Sequence, residues 1–149
     1  MNGRSTVAMC LWYDGNAEEA ARFYTSLIPR SEVVSVSPVV VTFTLDGVPF
    51  QALNGGPQFK HTEAASISVT TKSQEDTDRL WNALTADGGS EGRCAWLKDR
   101  FGVSWQIVPH VLQELLSSSN RTAADRVLQA MLRMTKIDIG ALEAAFNAS

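Results

Sequence analysis

Two glutamines, two tryptophans, a serine and an asparagine are the residues of this chain best suited by type and position to meet a ligand. Gln51 follows Val48 and Phe50, and Gln106 follows Val103 and Trp105, so the two amides occupy matching places in two similar short segments. A neutral amide both donates and accepts hydrogen bonds; such a pair could hold a polar ligand, or bond each other or water. Trp12 and Trp96 lie in segments with strand character. They could wall a binding cleft against a flat apolar molecule, or pack in the core. Ser68 adds a hydroxyl on a third such segment, and Asn54, before Gly55-Gly56-Pro57, shapes a tight turn and could reach a ligand. His61 is the candidate general base, because imidazole titrates near neutrality, although a lone loop histidine is commonly solvated. His110 is read only as marking a helix start.

The remaining reactive side chains carry less. A nucleophilic cysteine needs a base or cation beside it. Lys98 lies four residues beyond Cys94, about 13 Å along a strand and out of reach. Cys10 and Cys94 are therefore read as reduced core thiols, with a disulfide open only if their Cα atoms lie within about 7 Å. Lys98-Asp99-Arg100 reads as a solvated hairpin tip.

These residues must be positioned by regular elements, and the pattern predicts them. Residues 6–14 form an apolar segment that stops at Asp14-Gly15, a strand. Asn16 with Glu19 is a capping-box pair for a helix over 16–28 whose buried stripe includes Ala20, Phe23, Tyr24 and Leu27. Strands are predicted over 32–37, 39–45 and 48–54, the last two joined by Asp46-Gly47, a two-residue hairpin signal. A second round follows. It has a strand over 65–70, a helix capped by Ser73 with Thr77, Leu80, Trp81 and Leu84 buried, a short strand near 89–92, and strands over 93–98 and 103–109. Asn16, Ala20, Phe23, Tyr24 and Leu27 match Ser73, Thr77, Leu80, Trp81 and Leu84 at one constant shift. The repeat makes Trp81 a core residue like Tyr24, and alternation turns Trp105 to the face opposite Gln106.

The predicted architecture is α+β. Two βαβββ modules, about 6–57 and 63–110, form one domain (1–110), with helices on one side and a concave cleft on the other. A C-terminal helical extension (111–149) follows, with Asp138 capping its last helix, and packs on the body or on a partner subunit.

Composition narrows the partners. The chain has 149 residues, 44% apolar, with a net charge of −3 and no Lys or Arg run. Nucleic acid and anionic membrane are thus excluded as electrostatic partners. No apolar stretch approaches the ~20 residues of a membrane span, and residues 1–6 carry no signal-peptide pattern. A cytoplasmic chain with reduced thiols is expected.

The segment 11–20 (Leu-Trp-Tyr-Asp-Gly-Asn-Ala-Glu-Glu-Ala) with Phe23-Tyr24 is similar to the PhnB-like branch of the vicinal oxygen chelate superfamily, which includes glyoxalase I and bleomycin-resistance proteins. So are 50–57 (Phe-Gln-Ala-Leu-Asn-Gly-Gly-Pro), 94–99 (Cys-Ala-Trp-Leu-Lys-Asp), 102–106 (Gly-Val-Ser-Trp-Gln) and the tail over 127–146. The resemblance implies paired βαβββ modules and a homodimer. Segment 31–41 looks shorter than that branch's hairpin loop. The superfamily's divalent metal would fall near Met9, near Ala64 or Ala65, and on Gln51 and Gln106, where metal-binding relatives commonly carry Glu. Met and Ala are not hard-metal ligands and a glutamine carbonyl is a weak one, so no metal is expected. The branch is often labelled 3-demethylubiquinone 3-methyltransferase. No Gly-rich strand-to-helix turn of the kind that usually binds S-adenosylmethionine is present, so no cofactor is expected.

The expected protein binds a small, partly apolar molecule in the cleft through Trp12, Gln51, Asn54, Ser68, Trp96 and Gln106, without a metal. Two alternatives stand beside it. One is an enzyme of the superfamily, either a metal-dependent lyase, isomerase or dioxygenase or the labelled methyltransferase. The other is a dimeric protein-interaction module working through its tail.

Overall fold

In the computed structural model, residues 5–149 are described, and the chain divides into two compact units at Lys60 and His61. The first unit contains β1 (Met9–Tyr13), α1 (Ala17–Leu27), β2 (Glu32–Val36), β3 (Val40–Leu45) and β4 (Val48–Asn54). Its sheet runs β1-β4-β3-β2, with β1 parallel to β4 and the other pairs antiparallel. Period-two alternation divides the strands as their sequences require. Leu11, Val41, Phe43, Leu45, Phe50 and Ala52 are buried on one face, together with Ala17, Ala20, Ala21 and Tyr24 of α1. Phe43 and Phe50 stack at 5.3 Å between centroids. Burying each such ring or branched chain contributes about 1.5–3 kcal/mol. The β3–β4 hairpin turns on Asp46 (φ 49°) and Gly47 (φ 80°), both left-handed as a type I′ turn demands.

The start of α1 departs from expectation. Asn16 precedes the helix, but its side chain makes no capping bond. The Ala17 amide is instead met by Asn54 Oδ1 at 2.9 Å, from the end of β4. The capping box proposed from Asn16 and Glu19 is thus replaced by a long-range cap. Ser73 does cap locally, accepting from the Asp76 amide at 3.0 Å.

The second unit repeats the plan with β5 (Ser66–Thr71), α2 (Gln74–Thr85), β6 (Ser90–Glu91), β7 (Trp96–Lys98) and β8 (Ser104–Pro109), in the order β5-β8-β7-β6. Leu80, Trp81 and Leu84 of α2 are buried, as are Leu97, Trp105 and Ile107 of the sheet. Two corrections apply. The strand predicted over 93–98 begins only at Trp96, because Cys94 and Ala95 take positive φ (56° and 79°) and turn away. Their amides donate to Met134 and Thr135 carbonyls at 2.8 and 2.9 Å. Asp99 is not a solvated tip: it is 2% exposed and accepts from the amides of Phe101 and Val103 and from Trp105 Nε1. That carboxylate is the internal scaffold of the β7–β8 turn.

The chain then continues as α3 (His110–Leu116), α4 (Arg121–Met131) and α5 (Ile139–Phe146), with Asp138 capping α5 as predicted. Val127, Ile137 and Leu142 are fully buried in a cluster with Ala95 and Leu112. Gln74 binds the tail backbone twice, donating to Ile137 O at 3.0 Å and accepting from Ile139 N at 2.7 Å. Lys136 pairs with Asp78 at 2.8 Å. The extension therefore packs on its own chain's second module. Among the described residues, no helix is long and apolar enough to cross a membrane.

Candidate functional site

Strand register decides which residues stand abreast of each glutamine. In the first sheet, Gln51 pairs with Cys10 on β1 and with Thr42 on β3, on the face turned away from α1. Gln51 is exposed there. Met9, near which the resemblance placed a metal ligand, pairs with Phe50 and belongs to the opposite, helix-facing side of the strand. Trp12 lies on the Gln51 face two residues from Cys10, but the chain after β4 folds back over it. Its Nε1 donates to Gly56 O at 2.8 Å, and Phe59 meets its ring edge-on at 4.8 Å. Gly55 packs against the indole so closely that a Cβ would lie 2.3 Å from a ring carbon. Asn54, beyond its bond to Ala17, donates through Nδ2 to Pro38 O at 3.0 Å. Both ends of that amide are engaged in holding the module together.

The second sheet brings more of the expected residues together. Gln106 stands between Ser68 on β5 and Trp96 on β7. Its Nε2 donates to Ser66 Oγ at 3.0 Å, which fixes the amide along the sheet. Ala64 and Ala65, the other positions near which a metal ligand was placed, precede β5, and Ser68 is the residue abreast of Gln106. One pair along, Ser90, Lys98, Ser104 and Ser66 form a single row across all four strands. Glu63 approaches this row, its Oε2 at 3.2 Å from Lys98 Nζ. The Glu63 amide and Lys98 both hold its carboxyl below the usual range. An open hollow of about 620 Å³ lies here, lined by Glu63, Ser90, Arg93, Trp96, Lys98 and Ser104 among others. Glu63, Lys98 and Ser104 were assigned no ligand role from sequence. Alternation, which places Ser104 on the Gln106 side of β8, was the signal available for one of them.

His61 is half-buried in the segment before β5, at the head of the second unit. His110 opens α3 and pairs with Glu114 at 2.7 Å, one helical turn on. The thiols differ from expectation. Cys10 is exposed, because β1 is an edge strand and Cys10 lies on the face away from α1. Cys94 is half-buried, turned by its positive φ toward the tail, with Sγ 3.7 Å from Leu132 O.

The residues abreast of the glutamines are Cys10 and Thr42 in the first sheet, Ser68 and Trp96 in the second. Two neutral amides, two hydroxyls, a thiol and an indole include no carboxylate to balance a hard divalent cation and no imidazole for a borderline one. Among the described residues, no group of three His, Cys, Asp or Glu could hold a metal ion. S-adenosylmethionine fits no better. The β1–α1 turn has one glycine, Gly15, and its first helical amide is taken by Asn54; the β5–α2 turn has none, and Ser73 takes the Asp76 amide.

Comparison with known proteins agrees with the strand plan. A PhnB protein from Bacillus cereus, described by a 3-demethylubiquinone-9 3-methyltransferase name, is 32% identical over 70% of this chain and 99% of its own, with a TM-score of 0.65. A Pseudomonas aeruginosa protein is 23% identical over 71% of this chain and 98% of its own, TM-score 0.56. A glyoxalase/bleomycin resistance protein from Albidiferax ferrireducens T118 shares the fold at 17% identity, over 71% of this chain and 99% of its own, with a TM-score of 0.53. No curated protein matches the chain. The family described as 3-demethylubiquinone-9 3-methyltransferase matches residues 5–108. With paired βαβββ modules, a repeated glutamine and this match along most of its length, the chain belongs to that PhnB-like family and has the fold of the glyoxalase/bleomycin resistance protein.

Proposed function

We propose that the protein binds a small, partly apolar molecule on the glutamine-bearing face of its second sheet, without a metal. The observation that carries this reading is the setting of Gln106, a half-buried amide fixed by Ser66 between the Trp96 indole and the Ser68 hydroxyl. Such a face offers one aromatic wall, the Trp96 indole, beside an oriented amide and a hydroxyl, a combination that suits a small molecule with an apolar body and polar groups. Gln51 is the counterpart in the first sheet, where Trp12 and Asn54 serve more to build the module than to reach a ligand. The methyl transfer named in the family description gains no support from the two strand-to-helix turns. Two further proposals stand beside it: the family resemblance points to a homodimer, and the free thiols Cys10 and Cys94 suit the cytoplasm, where they would stay reduced.

Native mass spectrometry of the full chain, purified without chelator, tests the reading. The expected species has the mass of two chains, no metal, and an organic adduct that Gln106→Ala no longer retains. Stoichiometric divalent metal, or retention of added S-adenosylmethionine, would overturn it in favour of an enzyme of the superfamily.

A further inference from the structure

We infer that the hollow beside β6 and β7 receives a carboxylate, so that the ligand of this face is a flat organic acid. This rests on the binding face proposed above and names what it binds. Ser104 is 1% exposed and lines the hollow, and among the described residues no group bonds its Oγ. A buried hydroxyl without a partner is costly, whereas an alanine there would cost nothing. Beside it stand two cationic side chains, Lys98 in the same row and Arg93 at the exposed rim. The carboxylates on the hollow are placed differently. Glu91 is committed to Trp81 Nε1 at 2.7 Å. Glu63 comes from outside the sheet, its side chain 66% exposed, and rests on Lys98. The protein thus already places one carboxylate on this ammonium, held by a residue free to swing into water. A ligand carboxylate can take its place and gain a bond from the Ser104 hydroxyl that Glu63 does not make. From there the Trp96 indole leads toward Gln106, which suits a flat apolar body with a second polar end.

The test is a titration of the ¹⁵N-labelled full chain with benzoate and, separately, with benzamide. Benzoate is expected to shift the Lys98 and Ser104 amides saturably, with benzamide about tenfold weaker or more. Ser104→Ala is expected to weaken benzoate about tenfold, to leave benzamide unchanged, and to keep or raise Tm. Retained Tm separates lost binding from lost folding. Glu63→Gln is expected to tighten benzoate a few-fold by releasing Lys98. Equal affinity for the two probes, or benzoate binding untouched by Ser104→Ala, would overturn the carboxylate subsite and leave the binding face standing. No shift at any amide of β5, β7 and β8 with either probe would overturn both.

Discussion

The two units share a strand plan, and they finish the face opposite their first helix in different ways. After β4 the first unit turns sharply through Gly55-Gly56-Pro57 and lays its own chain on Trp12. After β8 the second unit runs on into three helices. Val108, on the Gln106 side of β8, packs against their apolar cluster. The edges differ as well. β2 is five residues long and extends the first sheet, whereas β6 has only two. Where the shift that matches Gln51 to Gln106 puts Pro49 in the first sheet, it puts Ser104 in the second. The repeated core dictates the plan, since both helices need the same buried stripe. The open faces are under no such constraint, and there the units diverge: in one the local chain covers Trp12 and leaves Gln51 exposed, the other keeps a hollow with hydroxyls and charges.

The largest way to break this comparison is through the tail, which only the second unit has. Ile137 is fully buried at the centre of the tail cluster. Ile137→Ala should cost about 2–5 kcal/mol, read by thermal or urea unfolding. Amide exchange should rise at Cys94 and Ala95, whose amides are bonded to the tail, and not in β1 or β4. Equal loosening of β1 and β4 would show that the units do not hold their stability separately.

A smaller effect compares two hairpin aspartates. Asp99 is buried with three donors aimed at it, while Asp46 is exposed and pairs with Arg30 at 2.7 Å. Asp99→Asn replaces one acceptor oxygen by an NH2 group facing donors and should cost about 1.5–3 kcal/mol. Asp46→Asn removes only a surface ion pair at a position where Asn suits the turn, so it should change stability by about 0–1 kcal/mol. Similar losses at both sites would refute the internal-scaffold role of Asp99.

What the sequence revealed divides along the same line. β4 was read with its observed limits, and the Asp46-Gly47 turn, the Ser73 and Asp138 caps and the two-residue β6 region follow from local pattern. Each of these depends on neighbours a few residues away. The misses are long-range. Asn54 caps α1 across 37 residues, and nothing near Asn16 signals it. Cys94 and Ala95 leave the ladder because Met134 and Thr135 offer carbonyls from the far end of the chain. Of the ligand candidates, Ser68, Trp96 and Gln106 share one sheet face, which strand register decides and alternation within each strand does not. The Ser104 hollow was not legible, because it depends on how little of β6 pairs and on where Glu63 comes to rest.

Gln74 and Asp78 sharpen the comparison at its weakest point, the tie between α2 and the tail, which α1 has no counterpart to make. Gln74→Ala removes two hydrogen bonds to the tail backbone and should cost about 1–2 kcal/mol. The neighbouring Asp78 is a subtler case. The hydrogen bond from Lys136, then that from Gln74, holds its carboxyl below the ordinary aspartate value of 3.8. A carboxyl with a lowered folded pKa stabilises the fold above its unfolded value and loses that contribution as the pH falls through the folded one. The side chains are 34% and 40% exposed, so water screens the pair, and the effect should stay below about 1 kcal/mol. Protection of the tail amides, taken relative to the intrinsic exchange rate at each pH, should therefore fall slightly below about pH 4 in the parent, and Asp78→Asn should show no such step. A step of the same size in Asp78→Asn would assign it to another carboxyl and leave Gln74 as the tie that holds the tail.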